Sequence, residues 1–307
     1  MGSIRLFTHP ACFAHDPGAG HPECPARLGA VLDALNTAYP DLHWDDAPQA
    51  LRSQLSRVHT DDLVSAILDS EVGEGLRIDA DTVMGPHSRE AALRAAGAGV
   101  AAVDAVMRSD TRRAFCAVRP PGHHATGDLA MGFCLFNAVA VAAAHAVEAH
   151  GLSRVVVADF DVHHGNGTQA IFEDDDRVMY VSSHQAPLYP GTGERSERGV
   201  GNIVNVPLPP RSGGAAFRRA WGDILLPAMD AFRPQLVLVS AGFDAHRLDP
   251  LADLELEDVD YTWLTGELLA LAGRHAAGRL VSMLEGGYSL AALRACSVAH
   301  VGALLRG

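Results

Sequence analysis

The segment Asp159-Phe-Asp161-Val-His163 sets two carboxylates and an imidazole at alternate positions. In extended backbone, residues two apart face the same side. Asp159, Asp161 and His163 then converge while Phe160 and Val162 turn into the core. Oxygen and imidazole donors together suit Zn²⁺ or another borderline divalent ion. The same pattern also fits a polar strand end whose aspartates cap a loop. A metal centre needs a further ligand from elsewhere, and Asp244 in Ala-Gly-Phe-Asp-Ala-His is the natural candidate. Three protein ligands with an open position describe a catalytic zinc site. Arg119-Pro-Pro-Gly-His123-His124 adds two imidazoles behind a rigid turn. A histidine beside activated water serves as a general base near neutral pH. Asp159 is free to orient it if Asp161 takes the metal. Glu285-Gly-Gly-Tyr288 places a phenol after a glycine turn, where it can donate to an oxyanion. A tyrosine at a helix start also packs without any chemical task.

These groups need elements to hold them. Apolar runs predict strands at 4–8, 114–118, 154–161, 178–182, 235–241 and 280–285, with a further short one at 203–206. Longer helical patterns fall at 26–38, 61–69, 87–107, 137–150, 214–231, 258–276 and 290–305. Strand-then-helix repetition argues a parallel sheet covered on both faces. Runs such as VVVADF and LVLVSA suit strands buried on both sides. The polar groups above all fall just after strands, where open parallel sheets bind ligands.

Composition sets the outer limits. The 307 residues carry 24 Lys and Arg against 37 Asp and Glu, a net charge of −13. That disfavours nucleic acid as a partner, because its phosphates demand cationic surface. Five widely spaced cysteines with no CxxC pair point to a reducing compartment. The opening MGSIRLFTHPACF has no long apolar run behind a basic start, so no secretory leader is expected. No uncharged apolar stretch is long enough to span a membrane. A single cytoplasmic domain over residues 1–307 is the resulting expectation. Of the 16 histidines, His9, His15, His21 and His59 are expected to pack or lie at the surface. His164 is expected to point away from the metal, and His184 to stand behind the site. The acidic run Asp249, Asp253, Glu255, Glu257, Asp258 and Asp260 reads as a solvated loop entering a helix.

Together the strings HPECPAR (21–27), RPPGHHA (119–125), GFCLFN (132–137), DFDVHHGNGT (159–168), YPGTG (189–193), AGFDAH (241–246) and EGGY (285–288) resemble the histone deacetylase family. That family includes bacterial relatives and acetylpolyamine amidohydrolases. The strings occur in the family's order across nearly the whole chain, and DFDVHHGNG and AGFDAHRLDPL look like its class II branch. The resemblance implies a three-layer α/β/α arginase/deacetylase fold with a mainly parallel sheet of about eight strands. It implies Asp161, His163 and Asp244 as ligands of one catalytic zinc, and His123 as general base with Asp159 as its partner. His124, paired with Asn166, assists the leaving amine. Tyr288 becomes the oxyanion donor. Phe133 and Tyr189 become the walls of an acyl-lysine tunnel, with Gly132 beside them and Leu251 at the rim. Arg27 lies near an internal channel. Structural potassium is implied at Asp159, Asp161, His163 and Ser182, with a second site at the Phe172 and Val178 carbonyls.

Three positions depart from parts of the family. Asn166 stands where class I members carry Asp, and a neutral amide raises an imidazole's pKa less than a carboxylate does. Tyr288 is retained, unlike the His of weakly active members. Leu251 replaces the Glu of a polyamine-specific relative. The expected activity is zinc-dependent removal of an acetyl or other acyl group from lysine or a similar primary amine. Partners are then acylated proteins, peptides or small amines, with a homodimer or homotetramer as the assembly. Acetylpolyamine hydrolysis, non-catalytic acyl binding and a two-metal ureohydrolase are the rival readings.

Overall fold

The computed structural model describes residues 4–73 and 75–307. Residues 1–3, the start of the stretch read for a leader, lie outside the described residues. The chain opens with β1 (Ile4–Thr8), α1 (Pro10–Ala14), α2 (Pro25–Ala38), β2 (Trp44–Asp46), α3 (Arg52–Leu55) and α4 (Asp61–Leu68). A small antiparallel ribbon follows, β3 (Leu76–Arg77) with β4 (Val83–Met84). Then come α5 (Ser88–Met107), β5 (Arg113–Cys116), α6 (Ala138–His150), β6 (Val155–Asp159), α7 (Asn166–Phe172), β7 (Val178–Gln185) and β8 (Ile203–Leu208). The last part holds α8 (Gly214–Ala220), α9 (Leu226–Phe232), β9 (Leu236–Ala241), α10 (Asp258–His275), β10 (Leu280–Leu284) and α11 (Leu290–Arg306).

Eight strands form one sheet in the order β2-β1-β5-β10-β9-β6-β7-β8. Every neighbouring pair in it is parallel, so the sheet is wholly rather than mainly so. The β6 residues Val155–Asp159 are all fully buried, as a strand covered on both faces must be. α5 and α6 pack together against the sheet, while α2, α11 and α10 form a second packed row. The result is an α/β/α sandwich.

Two expectations need adjusting. The helix predicted over 214–231 is interrupted by a π-helical turn at Trp221–Leu225. Pro227, two residues on, has no N–H to continue the ladder. β6 stops at Asp159, short of the predicted 161, because the chain leaves the sheet where its polar groups begin. β2, a three-residue edge strand, is too short to leave a pattern.

The sheet order decides where chemistry collects. β5, β10, β9 and β6 are four consecutive neighbours. Their C-terminal ends lead into His123, Tyr288, Asp244 and Asp161, which are therefore adjacent in space.

Candidate active site

Beyond β6 the chain carries Asp161 and His163 into the crevice, and Asp244 arrives beyond β9. Their ligand-type atoms lie within 4.8 Å of one another, and all three residues are buried. Backbone amides hold the carboxylates. Asp161 Oδ2 accepts from Gly286 N (2.9 Å) and Asp244 Oδ1 from Val162 N (2.9 Å). Gly286 has to be glycine, since a Cβ there would lie 2.0 Å from Asp244 Oδ2. His163 Nδ1 faces Asp161 Oδ1 at 3.1 Å and Asp244 Oδ2 at 3.2 Å. The second contact lacks hydrogen-bond geometry, so Asp244 Oδ2 is a buried acceptor with no partner. Burial lowers the His163 imidazolium, but the hydrogen bond to Asp161 and the charges of Asp244 and Asp161 outweigh it and push the pKa up to about 10. Burial also works against the Asp161 charge, yet His123 and His163 hold that carboxyl below its ordinary range. Two buried carboxylates, an inward imidazole nitrogen and an orphaned oxygen fit a divalent cation.

The two histidines after β5 are placed by other groups. His123 Nδ1 bonds to Asp159 Oδ2 (3.0 Å), and its Nε2 lies 3.8 Å from Asp161 Oδ1. His124 Nδ1 bonds to Asn166 Oδ1 (2.8 Å). Both acceptors are oxygens, so each Nδ1 carries the proton and each Nε2 stays free of it when the ring is neutral. Their surroundings push the two rings in opposite directions. Burial lowers His123, but Asp161 and Asp159 outweigh it and push the pKa up to about 10. Burial and the charges of His123 and His163 hold His124 well below the usual histidine range. Glu285 secures this loop, accepting from Gly122 N (2.6 Å) and His123 N (3.2 Å).

Tyr288 closes the site from β10. Its backbone N–H donates to Asp249 Oδ2 (2.6 Å), as does that of Ser289 (3.1 Å). Burial holds its phenol well above the usual tyrosine range. Arg27 is fully buried beneath this turn. It donates to the Gly287 and Glu285 carbonyls (2.6 Å each) and pairs with Glu23 (2.8 Å). Its guanidinium lies 4.8 Å from the centre of the Tyr288 ring. A cavity of about 210 Å³ opens onto these groups. His124, His163, Tyr288, Gly132, Phe133, Tyr189 and Leu251 line it, together with Asp81 and Leu188. Phe133 and Tyr189 are therefore walls of one cavity.

The proposed potassium residues fall in two places. Asp159, Asp161, His163 and Ser182 cluster below the crevice at the ends of β6 and β7, where Asp159 and Ser182 are register partners. The Phe172 and Val178 carbonyls, with that of Asp175, converge on the Asn202 amide at 2.6, 2.8 and 3.0 Å. A side-chain N–H₂ thus fills the centre of that second cradle, while Asn202 Oδ1 is buried without a partner.

The histone deacetylase domain family matches residues 21–304. The chain belongs to the histone deacetylase family. A histone deacetylase-like amidohydrolase of Pseudomonas aeruginosa is 42% identical over 291 residues, spanning 92% of this chain and 76% of that one. A probable deacetylase of Archaeoglobus fulgidus is 37% identical over 293 residues, spanning 93% and 81%. The crystal structure of the HDA15 HD domain aligns with a TM-score of 0.94 and 36% identity, over 99% of this chain and 88% of that one. No helix among the described residues is long and apolar enough to cross a membrane.

Against this histone deacetylase frame, the acidic run from 249 needs correcting. Asp249 is 7% exposed and Asp260 5%, so neither is solvated. Asp249 anchors Tyr288, and Asp260 caps the start of α10 through Glu257 N (3.1 Å) and pairs with Arg218 (2.9 Å). Asp81 was not foreseen at the cavity either. Asp79-Ala-Asp81-Thr82 reads as an ordinary turn, and only the ribbon β3–β4 carries it to the mouth. His164 points away from the ligand set, toward Thr192 (2.7 Å) and Gln169 (2.9 Å). A second His/Asp group, Asp104, His145 and His150, bridges α5 and α6.

Proposed function

We propose that this chain is a zinc-dependent amidohydrolase that removes an acetyl or other acyl group from the ε-amine of lysine or a similar primary amine. Residues 1–307 then form a single deacetylase domain. The observation that carries the reading is the buried, partnerless Asp244 Oδ2. It sits in one cluster with Asp161 and His163, and His163 lines a cavity that His124 and Tyr288 also line.

Asp161, His163 and Asp244 would hold the ion. When bound, zinc polarises the acyl carbonyl and lowers the pKa of water. The chain's own residues do the rest. Phe133 and Tyr189 flank an extended aliphatic chain and exclude water around it. His124 is neutral, with a free Nε2, so it is the imidazole ready to take a proton from the attacking water and hand it to the leaving amine. His123 remains charged beside Asp159 and steadies negative charge developing at the acyl oxygen. This division reverses the one expected from the sequence, and the reason is electrostatic. A cation bound nearby depresses His124 further; at His123 it offsets the Asp161 charge and leaves Asp159 as the carboxylate that favours the imidazolium. Tyr288 keeps its proton at neutral pH and donates it as a hydrogen bond to the oxyanion.

Potassium at the ends of β6 and β7 is part of this proposal. At the second cradle, rotation of the Asn202 amide would turn its orphaned Oδ1 toward the cation. A second reading, acetylpolyamine hydrolysis, is favoured by Asp81 at the mouth, whose carboxylate suits a cationic nitrogen. Leu251 supplies no second carboxylate there. The test is a kcat/KM panel of acylated lysine peptides and acylated polyamines with zinc-loaded protein. Preference for lysine peptides supports the main reading, and preference for acetylspermidine selects the second. Failure on every acylated amine leaves only an acyl-binding protein.

A further inference from the structure

One buried side chain touches the site's histidine dyad and has no part in the chemistry above. Tyr180 lies on β7, beside β6, and is fully buried. Its hydroxyl is 3.0 Å from Asp159 Oδ2 and 2.9 Å from the Gly165 amide nitrogen. An amide N–H can only donate, so the phenol accepts there and its single proton is left for Asp159. Asp159 Oδ2 thus receives two donors, Tyr180 Oη and His123 Nδ1, while Oδ1 receives Asp161 N (3.1 Å). Those three donors hold the carboxylate from both oxygens. Gly165 completes the contact by having no side chain. A Cβ there would come 2.3 Å from Asp159 Oδ2, 2.7 Å from Tyr180 Oη and 3.1 Å from His123 Nδ1.

We propose that Tyr180 is a positioning residue, which fixes the Asp159 carboxylate against His123 through its hydroxyl. The inference rests on the deacylase reading for its turnover readout only. Partners that orient a reacting group typically matter by about 10–100-fold in activity.

The experiment is Tyr180→Phe in two backgrounds, wild type and Asp159→Asn, with zinc-loaded protein and an acetyllysine peptide. In the wild-type background kcat falls by about 10–100-fold while KM and zinc content stay unchanged. In the Asp159→Asn background the same substitution costs less than about twofold, because the group it acts through is already neutral. Equal losses in both backgrounds, or no loss in either, overturn the proposal. The low-field N–H proton resonance of His123, assigned by its disappearance in His123→Ala, reads the same contact without turnover. It moves downfield in Tyr180→Phe, since Asp159 Oδ2 then serves one donor instead of two. An unmoved resonance overturns the proposal whatever the protein hydrolyses. A moved resonance in a protein that hydrolyses no acylated amine keeps Tyr180 in its role and removes the deacylase reading. Should Tyr180→Phe not fold, Gly165→Ala forces a methyl into the same contact and must shift the same resonance.

Discussion

Two groups of histidine and aspartate stand out among the described residues, and they differ in one respect that matters. In the Asp104, His145 and His150 group no side-chain nitrogen or oxygen is both buried and without a partner. Both histidines place Nε2 2.8 Å from Asp104 Oδ1, and Arg57 lies 2.8 Å from His145 Nδ1. A guanidinium can only donate, so His145 Nδ1 has no proton and its Nε2–H is spent on Asp104. Arg108 stands 3.6 Å from the other Asp104 oxygen, adding further positive charge. In the Asp161, His163 and Asp244 group one oxygen, Asp244 Oδ2, is buried and accepts no hydrogen bond, with His163 Nδ1 3.2 Å away outside hydrogen-bond geometry. Ligand types at ligand spacing are common to both. A desolvated donor atom without a partner belongs only to the second, and that is what a bound cation would satisfy.

The largest effect should come from breaking that difference. Asp244→Asn is expected to abolish zinc retention and turnover together, whereas His150→Ala leaves one zinc per chain and full turnover. Metal analysis beside a deacylation assay checks both, and loss of zinc from His150→Ala would erase the distinction. Next in size are changes that spare the ligands. Tyr288→Phe should cut kcat by about 10²–10³ with zinc still bound. His124→Ala should cost about 10²–10⁴ and more than His123→Ala. A larger loss in His123→Ala would restore the opposite division of roles.

The smallest effect concerns the satisfied group. Hydrogen bonds from His145 and His150 outweigh burial and lower the Asp104 pKa. A lowered carboxyl stabilises the fold above its unfolded value, near 3.8, and loses that contribution as pH falls through the folded value. Asp104 is partly exposed, so screening limits the contribution to about 1 kcal/mol or less. Asp104→Asn should therefore lower Tm by about 1–4 °C at pH 7, by progressively less below pH 3.8, and leave turnover alone. A turnover defect would show that this group communicates with the cavity.

Much of the fold was legible because its signals are local. VVVAD is apolar throughout, and a strand buried on both faces follows from that run alone. Part of the buried Asp161, His163 and Asp244 cluster was legible for the same reason, since Asp161 and His163 are two residues apart. Other members of the site were hidden because their partners are far along the chain. Asp249 reads as one acid in a solvated run until β9 and β10 bring it under Tyr288, 39 residues away. Glu285 looks like the first letter of a glycine turn, yet its carboxylate holds Gly122, 163 residues away. The opposite pKa shifts of His123 and His124 were also invisible, because neighbouring letters carry no burial.

Stoichiometric zinc titration of metal-free protein, read as turnover of an acetyllysine peptide, tests the central claim most directly. Activity should rise linearly and break at one zinc per chain, and Asp244→Asn should stay flat over the same range. A break at two zinc ions, or full activity before any zinc is added, would contradict it.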